Sequence, residues 1–281
     1  MPTHEHGTLA LQWNWHPLLI LGLLLLLGSY LYMIGPWRQR RQLAARMPEG
    51  RFISFLLGLL VIFIALVSPL NSFSHMLFTG HMAQHLLLAL VAAPLLVLGL
   101  PAWLIEAALE VRSIRVVMKG LTNIFVTTFL FNGNLWLWHA QPILNAMMQN
   151  TYLHLLAQFL FLITGALFWW PLLTPATKAL PSLNIAAKLL YIFSNDMPMV
   201  LLSAGLTLMP PLYSVYINNP TKLLDPAVDQ HLGGALMWIP GSILFIVIAS
   251  IIFLRWILDL EKKERAEAAR MAELYRATEL S

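Results

Sequence analysis

A chain of 281 residues that is 59% hydrophobic and only 11% charged cannot clothe a water-facing surface, because soluble domains carry roughly 25% charged residues. A soluble helical protein is excluded on that ground, and the composition is that of an integral membrane protein. The absence of cysteine removes disulfides, thiolate metal sites and CxxC redox chemistry, so any soft-metal ligation falls to Met and His.

In chain order, seven runs are long and apolar enough to cross a bilayer as helices, the one open structure that satisfies its own backbone in lipid. They lie near Pro17–Met33, Phe52–Val67, His81–Leu100, Leu121–Trp138, Tyr152–Leu173, Ile185–Leu208 and His231–Trp256. The expected fold is all-α and polytopic, with no alternating β-barrel pattern. No cleavable signal peptide is expected, because the first 16 residues carry no Lys or Arg, and the first span is read as a retained anchor. Sixteen of the 17 Lys and Arg residues fall on one side of this topology, Lys222 being the exception. By the positive-inside rule this predicts an outside N-terminus and a cytoplasmic C-terminus. The +4 net charge is therefore a topology signal and no pointer to nucleic acid. Residues 1–258 read as one transmembrane domain. Residues 259–281, rich in Ala, Glu, Lys and Arg with Glu261 and Arg265 at i,i+4, read as a charged cytoplasmic helix extending the last span. Trp13, Trp15, Trp136 and Trp138 at one set of span ends, and Trp37, Trp169, Trp170 and Trp256 at the other, read as interfacial belts.

On this topology all nine histidines lie on or near the outer face, which is the strongest functional signal in the chain. "HMAQH" sets His81 and His85 at i,i+4, so both project from one helix face and can chelate one ion. Met82 stands where a zinc-protease helix would carry its glutamate, so no HExxH exists and metalloprotease chemistry is set aside. Asn132, Trp136 and His139 share a face of the fourth span, and His154 and Gln158 one of the fifth. Asp229, Gly233 and Met237 share one of the seventh, with His231 on the same first turn. Methionines accompany the imidazoles: Met76, Met82, Met147, Met148, Met209 and Met237 fall in the outer half. Imidazole with thioether and no thiolate suits copper, Cu(I) above all, whereas each Met taken alone is also ordinary apolar filler.

Two further features compete with plainer readings. "NDMPMV" places Asp196 deep in the sixth span, flanked by Met197 and Met199, with Pro198 freeing a backbone carbonyl. A buried acid there is costly and is read either as a mid-membrane copper or proton station, or as a protonated side chain bonded to a neighbour such as Asn123 or Asn134. At the N-terminus, removal of Met1 would make His4 the third residue of a Cu(II)-binding start, against which stands an adventitious tail.

Three stretches, "HMAQHLLLALVAAPLLVLGLPAW", "WHAQPILNAMMQNTYLHLLAQFLFLITGALFWWP" and "DQHLGGALMWIPG", resemble the polytopic CtaG family, assembly factors of haem–copper cytochrome c oxidases. The similarity runs from about Ser68 to Gly241. The resemblance implies a bacterial plasma-membrane protein, without enzymatic activity, needed to form the copper centres of an oxidase. It singles out His81, Gln84, His85, Trp138, His139, His154, Asp229, Gln230, Met237 and Trp238. Many members carry a histidine four residues after the position of His154, where this chain has Gln158.

The expectation is a seven-span assembly factor whose outer His and Met side chains capture copper and hand it to a copper-bearing oxidase subunit. His81 and His85 are the expected core ligands, with His139, His154, His231 and Met237 completing or relaying the site. Asp229, Asp196, Met197 and Met199 are further candidates. Two rivals stand beside it. A haem protein would use axial histidines from different spans, His85 with His154 or His139 with His231. A copper or proton transporter would use Asp196 and the Pro198 kink.

Overall fold

The computed structural model describes residues 12–44, 46–174, 180, 183–220 and 223–279, with side chains to residue 271. His4, His6, Lys178 and Lys222 lie outside the described residues. Every regular element among the described residues is helical. Six helices are long and apolar enough to cross a membrane, and seven when one bent pair counts as a single span. We number the elements α1 (Pro17–Arg41), α2 (Glu49–Leu66), α3 (Leu70–Met76), α4 (Phe78–Leu98), α5 (Ala102–Glu110), α6 (Arg112–Leu121), α7 (Ile124–His139), α8 (Gln141–Met148), α9 (Thr151–Leu173), α10 (Ile185–Leu208), α11 (Ser214–Ile217) and α12 (Pro226–Glu279).

The fourth expected span, Leu121–Trp138, corresponds to α7, and the basic segment before it forms α6, which meets α7 at 64°. The corner is built from local hydrogen bonds: Thr122 Oγ1 donates to the Met118 carbonyl at 2.6 Å, and Asn123 Oδ1 accepts the Phe125 N–H at 2.9 Å. An Asn at that position starts a new helix by satisfying one of its free N–H groups. Helix α6 buries none of its residues, so its basic side chains lie outside the bundle. The last span begins at Pro226, earlier than expected, and runs unbroken for 54 residues, roughly 80 Å at 1.5 Å per residue.

Helix packing sets where a site can form. Helix α4 packs on α9, α9 on α7, α7 on α10, α10 on α12, and α12 returns to α4. Five helices thus close a ring around one interior. Helix α2 packs on the outside of α4, and α1 on α2. Only 11% of the α1 span is buried, so α1 is a peripheral helix that packs Leu19, Leu23 and Leu26 inward and leaves Leu18, Leu21, Leu24 and Leu25 exposed. At the basic end of the bundle, Tyr30 donates to the Gly99 carbonyl at 2.9 Å and Arg51 to the Leu98 and Leu100 carbonyls, closing off the last turn of α4.

Helix α4 is not regular throughout. A widened, π-type turn covers Leu87–Ala92, one residue beyond the regular turn that carries His85. Pro94 has no N–H for the Leu90 carbonyl four residues back, which removes one rung of the ladder. The carbonyl of Ala89 is served from outside the helix, by the Trp169 indole N–H at 2.9 Å. The expected belt residue Trp169 is therefore fully buried and structural. Gly165 makes that contact possible: a Cβ there would lie 3.0 Å from both the Cα and the carbonyl oxygen of Ala89.

Gly165→Ala is expected to destabilise the protein by about 1–3 kcal/mol through overpacking against backbone, read as a lower midpoint in tryptophan-fluorescence melting of detergent-solubilised protein. Gly28→Ala, where nothing stands within 4 Å of the added Cβ, is the matched control and should not lower the midpoint.

Candidate metal centre

The sequence expectation of an i,i+4 chelating pair rests on helical geometry, and α4 is regular over Phe78–Leu86. His81 and His85 do project together. Their Nε2 atoms stand 2.6 Å apart, and both side chains are buried. Neither Nδ1 has a protein partner. If one ring donates its Nε2 proton to the other, the acceptor ring carries its own proton on Nδ1, where nothing receives it. An unpaired buried N–H costs on the order of 1–3 kcal/mol. The pair is thus poorly satisfied at Nδ1, and the facing Nε2 lone pairs are the atoms it offers to a cation.

Two more histidines come to this pair from other helices. His154, from the first turn of α9, stacks on His81 with ring centroids 5.5 Å apart. His139, from the last turn of α7, lies 6.2 Å from the His85 ring. Its Nδ1 is 2.7 Å from the Leu135 carbonyl, which fixes the proton on that nitrogen and leaves Nε2 as a bare donor atom. That Nε2 stands 3.4 Å from the Met82 sulfur. His75, exposed on α3, meets the His154 ring at 4.9 Å. His75, His154, His81, His85 and His139 therefore form one continuous run of rings from the surface into the bundle.

Buried amides hold the cluster in place. Gln84 donates to the Ala65 carbonyl at 2.7 Å and to Asn71 at 3.2 Å. Its Oε1 accepts from Gln158 at 3.1 Å, and the same Gln158 amide lies 3.2 Å from His154 Nε2. Gln158, the departure from the family pattern, thus positions His154 and ties α9 to α4. Phe161 packs against His85 at 4.0 Å between ring centroids and screens the pair from the lipid side of α9.

The other expected site residues go elsewhere. Asp229 is a cap: its carboxylate accepts the N–H groups of Phe78 (2.6 Å) and Thr79 (3.0 Å) and the Thr79 hydroxyl (2.7 Å). An acid at a helix N-terminus satisfies unpaired donors and opposes the positive end of the helix dipole. His231 is exposed, its Nε2 3.3 Å from the Met209 carbonyl, and stands apart from the other imidazoles. Asp196 is partly buried and accepts from Ser242 on α12 at 3.2 Å, rather than from Asn123 or Asn134. Met197 and Met199 separate: Met197 is 38% exposed, whereas Met199 is 2% exposed and faces the interior of the ring with Met237. Among the described residues no three His, Asp or Glu side chains close around a single ion, so the arrangement is a ladder of pairs with thioethers beside it, not a cage. The donor set still fits a soft monovalent cation, because its accessible atoms are imidazole nitrogens and thioether sulfur.

Sequence reasoning gave Met82 no more weight than any other Met. The available signal was helical phase: Met82, His85, Leu86 and Ala89 fall at i, i+3, i+4 and i+7 on one stripe.

A multi-span helical bundle with a buried imidazole and thioether cluster at one end defines a class: a polytopic, all-helical membrane protein. The particular family follows from residues 28–259, which match the family described as cytochrome c oxidase caa3 assembly factor (Caa3_CtaG), and this chain belongs to it. Similar proteins include the uncharacterized protein ML1998 of Mycobacterium leprae, 25% identical over 80% of this chain and 37% of the relative. Another is the uncharacterized protein Mb0105 of Mycobacterium bovis, 25% identical over 79% of this chain and 36% of the relative. The chain thus spans little more than a third of the length of these relatives. No solved structure matches.

Asp229→Ala is expected to lower stability by about 1–3 kcal/mol, the cost of leaving buried backbone donors unpaired, with Asp229→Asn between it and the parent. Thermal melting in detergent checks the order.

Proposed function

We propose that this protein is a non-enzymatic assembly factor that binds copper at its histidine end and passes it to a copper-bearing subunit of cytochrome c oxidase. The family supplies the assembly role. The observation that carries the copper reading is the convergence of His81, His85, His139 and His154, with Met82, in one buried cluster. The charge asymmetry of the loops supports a bacterial plasma-membrane orientation with this end outside, where an extracytoplasmic copper centre would be loaded.

In this reading His81 and His85 are the principal ligands, and copper is cargo. Transfer needs ligands that exchange, and neutral imidazoles and thioethers release an ion more readily than thiolates do. His139 Nε2 and His154 would extend the route. The bare Nε2 of His139 requires no deprotonation before it binds. Gln84 and Gln158 hold the rings in line without competing for the ion, because their amides are already committed to each other and to backbone. The haem alternative lacks support: His231 stands apart from His139, and the cavity beside His85 and His139 measures ≈ 20 Å³, room for a water or an ion and not a macrocycle.

The test is copper content by mass spectrometry on detergent-purified protein after copper loading and desalting. Wild type should retain about one copper per chain, and His81→Ala/His85→Ala should lose it. In cells lacking the chromosomal gene, the double variant should fail to restore copper-loaded oxidase. No retained copper in either protein would overturn the copper reading and leave a metal-free assembly scaffold.

A further inference from the structure

The five-helix ring holds a second feature beside the histidine pair, reached through His85. Its ≈ 20 Å³ cavity is lined by Met82, His85, His139, Met199 and Met237, with Leu86, Ala89, Leu90, Phe131, Leu135 and Phe161 completing the wall. Every one of the five ring helices contributes a side chain. Three thioethers thus arrive from three helices, α4, α10 and α12, at a space the size of one small ion. All three are almost wholly buried, at 1%, 2% and 3% exposure. Gly241 marks the fit of Met199: a Cβ there would stand 2.5 Å from the Met199 methyl carbon, and the glycine leaves room for the thioether to reach the cavity.

Charge decides which ion the space accepts. No carboxylate lines it. Asp229 is committed to the α4 N-terminus and Asp196 to Ser242. A neutral ligand set must bear the full desolvation cost of the cation, which scales with the square of the charge, so a divalent ion costs roughly four times what a monovalent one does. Soft sulfur ligands select in the same direction, toward Cu(I) and away from Zn(II) or Mg(II).

Connection decides how the ion arrives. His85 belongs to both features, its Nε2 meeting His81 at 2.6 Å and its ring lining the cavity. Phase explains this: His85 is i+4 from His81 and i+3 from Met82, so it stands between the histidine stripe and the thioether stripe.

From this geometry we infer that the cavity is an inner Cu(I) station of the same cluster, held by Met82, Met199, Met237 and His139, and filled through His75, His154, His81 and His85. The inference rests on the copper reading above and adds to it a sulfur-ligated inner station. Copper enters and leaves as Cu(I), so no electron is exchanged along the way.

The experiment is X-ray absorption at the copper edge on full-length protein in nanodiscs, loaded anaerobically with one equivalent of Cu(I), and repeated on selenomethionine-labelled protein. Copper–sulfur scattering at about 2.3 Å, replaced by copper–selenium scattering on labelling, is expected. Met199→Leu/Met237→Leu, a volume-conserving pair, should lose most of that scattering and weaken Cu(I) affinity at least about tenfold in chelator competition. Gly241→Ala, which displaces Met199 without deleting it, should weaken affinity by less. Nitrogen-only coordination in wild type would overturn the inner site while leaving copper handling by the histidines intact. Unchanged sulfur scattering in the double Leu variant would overturn the ligand assignment. No bound copper at all would overturn the inner site and the copper reading together. The labelled wild type needs no substitution, so the outcome does not depend on whether a variant folds.

Discussion

The bond between the Asp229 carboxylate and the first N–H groups of α4 sets the register on which the rest of the site depends. Lipid offers no partners to the open donors of a helix start, so they must be met from within the protein. Asp229 meets two of them, and in doing so fixes the start of α12 beside the start of α4. The two helices run in the same direction from that point. Met237 lies eight residues into α12 from Asp229, and Leu86 eight residues into α4 from Phe78, about 12 Å down each axis. The cap therefore brings Met237 level with the His85 turn. Gly233 completes the contact between the helices, since a Cβ there would stand 2.5 Å from Phe78 and 3.3 Å from Met82. A residue that looks like a ligand in sequence is the one that aligns Met237 with the histidine turn.

The same logic of satisfying every polar group separates structural polarity from functional polarity. Inside the bundle, Trp138 donates to Asn134, Asn134 to Thr164, Asn132 to Asn195, and Tyr191 to Thr127 and the Phe168 carbonyl. These are closed networks and rigidify the ring. Within the histidine cluster the Nδ1 atoms of His81 and His85 are left without a partner, as Asn132 Oδ1 is elsewhere in the ring. The loop between α10 and α12 applies the same economy at the mouth. Tyr213 donates to the His139 carbonyl and Tyr216 to the Ser74 carbonyl, each at 2.9 Å. Burial pushes both phenols up, with the Asp229 charge adding to the effect at Tyr216, so both remain donors.

Much of this was legible in the sequence, and the reasons for the remainder are physical. Span α10 runs from Ile185 to Leu208 as expected, because Asn184 caps its start and apolar residues carry it to Met209. The His81/His85 pair was legible because i,i+4 geometry is local. The split between Met197 and Met199 was also legible, since residues two apart on a helix project to opposite sides, and only one could ever face the interior. The break between α6 and α7 falls where the basic run ends and the apolar run begins, and Asn123 marks it as the cap of the new helix. Convergence of His139 and His154 on the α4 pair was beyond reach, because helix order around a ring is set by packing between distant segments. For the same reason Asp229 and His231, neighbours on one turn, read alike in sequence and part company in the fold.

The peripheral elements then take a definite place relative to the ring. Helix α1 shares little buried surface with the bundle, α2 reaches the ring chiefly through α4, and neither lines the cavity. Helix α12 does line it, through Met237, and continues as one rod far past the apolar region. Pro240, three residues beyond Met237, lies between that side chain and the distal rod, and a proline removes one rung of the helix ladder. Helix α4 has an irregular stretch of its own, the widened turn at Leu87–Ala92, which leans on Trp169 for a hydrogen bond its own ladder does not make. His85 stands just before that turn, while the amide pair Gln84 and Gln158 ties α4 to α9 at the same level.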